Sequence, residues 1–342
     1  MARTRRRSGG GVTIQAVADH VGVSAMTVSN VINGVRKVGD ETRDAVLRAV
    51  EELEYKPNAA ARALASAGVT CIGLVYQNAQ NAFLSAMLVG TLNAASRLGA
   101  QVVIRKCDRP DMEEARAAIQ GLVRSGANAI LLSPAYAELL SGSALVAALR
   151  IPIAVIAQGM RSPDMITVGI DETAAARAVM QMLIEKGHQR IGFVTGPLDQ
   201  FSGVGRLAGY RQALDQHGLQ IEEELIRPGD FTFEAGLRGG EALLALPRPP
   251  TAIFASNDDM AAGVSSIAHR RGLAVPHDVA IVGFDDAPIA VKIWPPLTTV
   301  RHRVDLMAEW ATEVLVMRHR TGENTGDQAR RVGFELIVRE SA

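Results

Sequence analysis

The segment from Val12 to Ser66 constrains this chain more than any other. It begins VTIQAVADHVGVSAMTVSNVINGV and ends YKPNAAARALAS. Thr13 is placed to cap a first helix with Ile14, Val17, Ala18 and Val21 as its apolar stripe. Gly22 stands where the chain must take positive φ to leave that helix. Ser24 is placed to cap a second helix striped by Val28, Val31 and Ile32. A small residue at Ala18 lets the two helices cross closely, Gly22 makes the turn, and Val28 fills the crossing. This spacing predicts a helix-turn-helix, whose second helix enters the DNA major groove. An ordinary αα-hairpin shares the spacing, and the residues downstream distinguish the two.

Asp40 to Tyr55 reads as a third helix, acidic in its first turn, with Val46, Leu47, Val50 and Leu53 on one face. It can roof the first two. Lys56-Pro57-Asn58 stops it, and Pro57 or Asn58 can start another. The run Ala59 to Ala65 is nearly all alanine, broken by Arg62 and Leu64. So short a helix does not hold in water alone. A segment poised between coil and helix suits a DNA contact gated by a ligand. Upstream, Arg3, Arg5, Arg6 and Arg7 precede Gly9-Gly10-Gly11. Residues 1–11 read as a disordered basic arm, either a phosphate contact or a solubilising tail.

Charge separates this head from the rest. Net charge is zero overall, yet residues 1–66 hold ten Lys/Arg against seven Asp/Glu. A mildly basic head on a mildly acidic body points to nucleic-acid contact by the head only. No apolar run approaches membrane-spanning length, and no signal-peptide core precedes the motif, which predicts a cytoplasmic protein. Cys71 and Cys107 abut apolar runs and read as reduced core thiols. With two cysteines and seven scattered histidines, no metal site is expected.

After Ala67-Gly68 the pattern becomes alternating strand and helix. Strands are expected at 70–76, 101–107, 128–133 and 151–157, with a connecting strand at 166–171. Helices are expected at Phe83 to Leu98, Glu113 to Arg124 and Glu138 to Leu149. The scheme restarts with helices at Glu172 to Lys186, Arg206 to His217, Glu234 to Leu246 and Asp258 to Arg271. Strands at 190–196, 251–256 and 279–285 alternate with them. A crossing strand at 297–300, a helix from Val304 to Arg318 and a strand at 333–340 complete the chain. Two consecutive βαβ series predict an α/β fold of two doubly wound parallel-sheet subdomains with a cleft between them. The expected divisions are a head at 12–57, a hinge helix and linker at 58–69, and an effector-binding and dimerisation domain at 70–342. Within that domain, the first subdomain takes about 70–170 plus 302–330, and the second about 171–301 plus 331–342.

Ligands of such sheets sit beyond the carboxyl ends of the strands. The residues there are Asn81, Phe83, Ser202, Arg206, Asn257, Asp258 and Asp285, with Trp294 before Pro295-Pro296. A guanidinium fork, a carboxylate, amides and aromatic faces are what a polyhydroxylated ring needs. Bland roles compete: Asp258 and Asp286 as helix caps or pairing groups, Trp294 as core or hinge packing. Gly203-Val204-Gly205-Arg206-Leu207-Ala208 matches a loose G-x-G-x-x-A. It lies too far past its strand for a dinucleotide loop. No Walker loop, G-x-S-x-G or HExxH occurs, so neither enzyme chemistry nor a cofactor is expected.

The pattern VTI-x-x-VA-x-x-x-GVS-x-x-TVS-x-V-x-N, followed by TR and Y-x-PN-x-x-A-x-x-L, resembles the lactose-repressor (LacI/GalR) family. GPLDQFSGVGRLAGYRQAL, ASNDDMAAG and VGFDD extend the resemblance through the body. The family shares the periplasmic-binding-protein plan. The resemblance implies base-edge contacts from Ala25, Met26, Thr27, Ser29 and Asn30, flanked by the capping Thr13 and Ser24. It also implies backbone or groove contacts by Asn58 and Arg62, and a minor-groove wedge at Leu64. Asn30 stands where many members have arginine, and asparagine suits adenine rather than guanine. In the body, the resemblance makes Arg206 the effector anchor and Asn257 and Asp285 effector contacts. Ala157-Gln158 replaces an acidic residue of many sugar-responsive members, leaving Gln158 as the substitute.

The implied protein is a homodimeric, sugar-responsive repressor of carbohydrate-utilisation genes. Two heads must meet two half-sites of a pseudo-palindromic operator in double-stranded DNA. Effector closing the cleft would melt the helices at Asn58–Ala65. The same architecture permits a corepressor-dependent repressor or an activator. A solute-binding protein would leave residues 12–66 unexplained. The chain ends at Ala342 without heptads, so the tetramerising appendage of the lactose repressor is expected to be absent.

Overall fold

A computed structural model describes residues 13–32, 38–53, 69–76, 82–107, 111–156, 162, 164–322 and 329–342, with the side chains of Ser29 and Ile32 left out. The chain forms two compact units, Met1–Gly68 and Val69–Ala342. The first contains α1 (Ile14–Val21), α2 (Ala25–Ile32) and α3 (Asp40–Glu52). Thr13 Oγ1 accepts the Ala16 amide at 3.2 Å, and Ser24 Oγ accepts the Thr27 amide at 3.1 Å. Each cap satisfies an amide that the helix leaves unpaired. Gly22 takes φ 74° and closes α1 through a bond from its amide to the Ala18 carbonyl. Val17, Ala18, Val28, Val31, Val46 and Ala49 are buried together. The α3 stripe departs from expectation at one place: Leu47 is 49% exposed, and Ala49 takes the core position.

The second unit is built on two parallel sheets and a short antiparallel ribbon. The six-stranded sheet runs β11-β5-β4-β3-β1-β2. Its strands are β1 (Cys71–Tyr76), β2 (Gln101–Lys106), β3 (Ala129–Leu132), β4 (Ile153–Ile156), β5 (Ile166–Gly169) and β11 (Ala329–Arg331). The 166–171 strand is therefore a full member of the first sheet rather than a connector. It pairs parallel to β4 and is flanked by β11. The four-stranded sheet runs β7-β6-β8-β9, from β6 (Ile191–Val194), β7 (Ile226–Arg227), β8 (Ala252–Ala255) and β9 (Ala280–Val282). β10 (Thr299–His302) and β12 (Phe334–Ile337) form the ribbon. The central strands are buried on both faces, which is why they read as unbroken aliphatic runs.

Helices cover both sheets. α4 (Ala82–Leu98) and α5 (Met112–Arg124) belong to the first sheet. The helix expected from Glu138 to Leu149 is instead two, α6 (Pro134–Leu140) and α7 (Ala144–Ala148). They part at Gly142, whose φ of 68° interrupts the helix. Around the second sheet lie α8 (Glu172–Glu185), α9 (Phe201–Gln216), α10 (Phe233–Leu244) and α11 (Asp258–Arg270). α12 (Val304–Thr321) then packs on α4 and the first sheet. Cys71 and Cys107 are buried and form no disulfide. No helix among the described residues is long and apolar enough to cross a membrane.

Candidate functional site

The side chains that matter in the second unit gather where strands end. α9 begins at Phe201, five residues earlier than its sequence suggested, so Ser202 and Arg206 both lie on it. Gly205 and Gly209 make that placement possible. A Cβ on Gly205 would stand 2.8 Å from Glu172 Cβ, and one on Gly209 would stand 2.4 Å from the Thr173 carbonyl. The glycines seat α9 against the first turn of α8. Gly203, where a Cβ would run into the Pro197 carbonyl, and Gly205 account for the G-x-G pattern without any nucleotide.

That close seating brings Arg206 to Glu172. Arg206 is 4% exposed and Glu172 2%. Nε donates to Glu172 Oε2 at 2.8 Å, and Nη1 donates to the Ser256 carbonyl. Asp285 Oδ1 lies 3.9 Å from Nη1. The guanidinium rests 3.6 Å from the centroid of Phe284, with Phe231 beyond at 5.8 Å. A buried guanidinium is held this way only when carboxylate and carbonyl acceptors surround it.

Asp285 has φ 108°, a strained value for a residue other than glycine. Its Oδ1 is 2.9 Å from His302 Nε2. The His302 ring lies 5.5 Å from Phe284 and 6.4 Å from Phe83. His302 thus joins the start of α4 on the first sheet to the end of β9 on the second.

Asn257, not Asp258, caps α11: its Oδ1 accepts the Met260 amide at 2.9 Å. Its Nδ2 donates to the Phe231 carbonyl at 3.0 Å, tying down that loop. Asp258 points inward instead, accepting the Thr299 hydroxyl at 2.6 Å and the Ala287 amide at 2.7 Å. Burial, and then the nearby Asp285 charge, raise its carboxyl well above the usual range. Asp286 pairs with Arg301 at 2.7 Å and Arg339 at 2.5 Å. Trp294 is 73% exposed, so it is not a core residue.

One contact crosses between the sheets' outer ends. Glu138, on α6 after β3, accepts the Phe201 amide at the start of α9. Burial pushes its carboxyl up to about 7, against the lowering effect of that amide, with Asp199 adding to the rise.

In the helical unit, Met26 projects from α2 with 70% exposure, while Ala25, Thr27 and Asn30 are half-buried. Ser24 and Thr27 share a hydroxyl contact of 2.9 Å. The side chain of Ser29 and the residues Asn58, Arg62, Leu64, Asn81 and Gln158 fall outside the described set. Glu172, His302, Phe231, Phe284 and Glu138 were not singled out from sequence. Only Glu172 carried a signal, an acidic residue opening a helix after a strand.

A helix-turn-helix head with a doubly wound body, which holds a buried ion network at its strand ends, defines a ligand-responsive DNA-binding regulator. The model for bacterial regulatory proteins of the lacI family matches residues 13–58. That for a periplasmic binding protein-like domain matches residues 180–342. The transcriptional regulator AscG of Escherichia coli (strain K12) is 36% identical over 299 residues, 87% of this chain and 89% of AscG. The PurR repressor of Escherichia coli is 33% identical over 308 residues, 90% of each chain. Among solved structures, the CelR–cellobiose complex superposes with a TM-score of 0.70 at 31% identity, covering 97% of this chain and 100% of CelR. The lac repressor dimer bound to operator and the anti-inducer ONPF gives 0.74 at 27% identity, covering 97% and 99%. The chain belongs to the LacI family of bacterial transcriptional regulators.

Proposed function

We propose that the protein is a homodimeric repressor of carbohydrate-utilisation genes, released from a pseudo-palindromic operator by a sugar-like effector. The observation that carries this reading is Arg206, fixed in a buried network at the carboxyl ends of β6, β8 and β9. A guanidinium held rigid by Glu172 offers its remaining N–H groups at little entropic cost, which suits paired hydroxyls. Asp285 supplies the matching acceptor. Phe83 supplies an apolar edge, and Ser202 a hydroxyl. The exposed Trp294 is available to stack on a ring face. The amides of Asn81 and Gln158 complete the expected set.

In the head, Met26 and Asn30 are the letters that set operator preference, and Leu64 is the wedge at its centre. Asn58–Ala65 couples head to effector.

The test starts with a duplex selected from a randomised pool. Operator affinity is then followed by fluorescence anisotropy across a panel of saccharides. Wild-type protein is expected to release the duplex with one of them, and Arg206→Ala to hold it at every dose. A wild-type protein that ignores the whole panel sinks the proposal.

A further inference from the structure

The charges around Arg206 say which kind of effector fits, provided the cleft is the effector site proposed for it. Arg206 is already neutralised, by Glu172 at 2.8 Å and by Asp285 at 3.9 Å. Glu138, from the first sheet's side, brings a further carboxyl to the start of α9. The nearby cations are spent elsewhere: Arg301 and Arg339 on Asp286, and Arg331 on Asp171. The chain segments 77–81 and 157–161 hold one ionisable side chain, Arg161. Around Arg206 itself, two carboxylates, Glu172 and Asp285, face one guanidinium among the described residues.

Unsatisfied acceptors point the same way. Glu172 Oε1 and Glu138 Oε2 are buried with no hydrogen-bond partner among the described residues. A carboxylate oxygen only accepts, so each calls for a donor and repels another anion. Sugar hydroxyls donate, whereas the ionised oxygens of phosphate and carboxylate groups only accept.

We infer that the cleft selects an uncharged, hydroxyl-rich ligand and rejects its phosphorylated and carboxylated analogues. Glu172 is the residue that sets this preference, by cancelling the Arg206 charge before any ligand arrives. An anionic group placed there would meet Glu172 and Asp285, which already outnumber the Arg206 charge among the described residues. Like-charge juxtaposition of this kind is expected to weaken binding about 100-fold or more.

The experiment uses the full chain, with calorimetric titration and thermal shift as readouts. The ligands are glucose, cellobiose, their 6-phosphates and aldonic acids, hypoxanthine, and inorganic phosphate. Wild-type protein is expected to prefer a neutral member over its anionic analogues. Glu172→Gln keeps the side chain's shape and removes its charge. It is expected to bind inorganic phosphate at least about tenfold more tightly than wild type, consistent with one removed like charge. Adding Arg206→Ala should erase that gain. If Glu172→Gln does not fold, Asp285→Asn carries the same test, since asparagine tolerates positive φ. A sugar phosphate or aldonate that binds wild type more tightly than its neutral parent overturns the inference. So does a charge-removing variant with no gain for phosphate. Hypoxanthine as the preferred ligand, a planar base without an array of hydroxyls, overturns the inference as well.

Discussion

The head and the body keep their proposed functional side chains in opposite places. In the head, Met26 stands out in solvent while Val28, two residues on, is fully buried. In the body, Arg206 and Glu172 are among the most buried charged side chains. On the proposed reading, α2 separates recognition from stability, one face for each. The body merges them, because its charged site is itself part of the packing between α8 and α9. A change to the reading surface of the head should alter specificity alone. A change to the body's site should alter response and stability together.

The strongest way to break that contrast is Arg206→Ala. Removing one partner of a buried pair strands Glu172, at a cost of about 3–5 kcal/mol. Chemical denaturation should show that loss, and operator release should stop responding to ligand. A variant as stable as wild type would mean that the pair contributes function without structure. Val28→Ala comes next. It opens a cavity among Val17, Ala18 and Val46 and should cost about 1–2 kcal/mol. Hydrogen exchange should quicken in α1–α3 and stay unchanged in the body; quickening in both would couple the two units' stabilities.

Glu138→Gln sharpens the picture through pH. Burial raises the Glu138 carboxyl to about 7, so folding disfavours its charged form. The stability it contributes is whole below the ordinary carboxylate range and is lost as pH rises through 7. Glutamine keeps the acceptor for Phe201 and carries no charge. At pH 8 the variant should be more stable by about 1 kcal/mol, once solvent screening is allowed for. Melting curves at pH 8 and pH 5 should show that gain fading with acid. A constant difference across that range would place its origin outside the carboxyl's titration. Met26→Ala is the smallest in stability, within about 0.5 kcal/mol for a solvent-facing side chain. Its effect should appear in the duplexes chosen from a randomised pool. An unchanged selection would take Met26 out of the reading surface.

The head was legible in the sequence because its determinants are local. Thr13, Ala18, Gly22 and Val28 sit within two helices, and their spacing carries the geometry. The strands of the body were legible because burial on both faces leaves unbroken aliphatic runs. The site was only half legible. Arg206, Asn257 and Asp285 stand at strand ends, where topology directs attention. Glu172 and His302 reach the same place from a helix start and a strand end far apart in the chain. Gly203 and Gly205 concealed the first turn of α9, because packing overrides their poor helix propensity. Asp258 looked like a cap since it opens α11, yet Asn257, one residue earlier, supplies the oxygen. Gly142 split a helix that periodicity had drawn as continuous.

The segment from residue 300 onward has a consequence for how the molecule is made. α12 and β11 complete the first sheet's side, and β12 returns to pair with β10. Ser341 is fully buried, and its hydroxyl donates to the Ile281 carbonyl beside the second sheet. During synthesis the head leaves the ribosome before the body, with every helix of its core already present. Neither half of the body is whole until residues 329–342 emerge. Domains fold as units in the order they are finished. A ribosome that stalls short of residue 300 thus exposes a finished DNA-reading head tethered to a first sheet without β11 and a second sheet without the Ser341 tie at its edge.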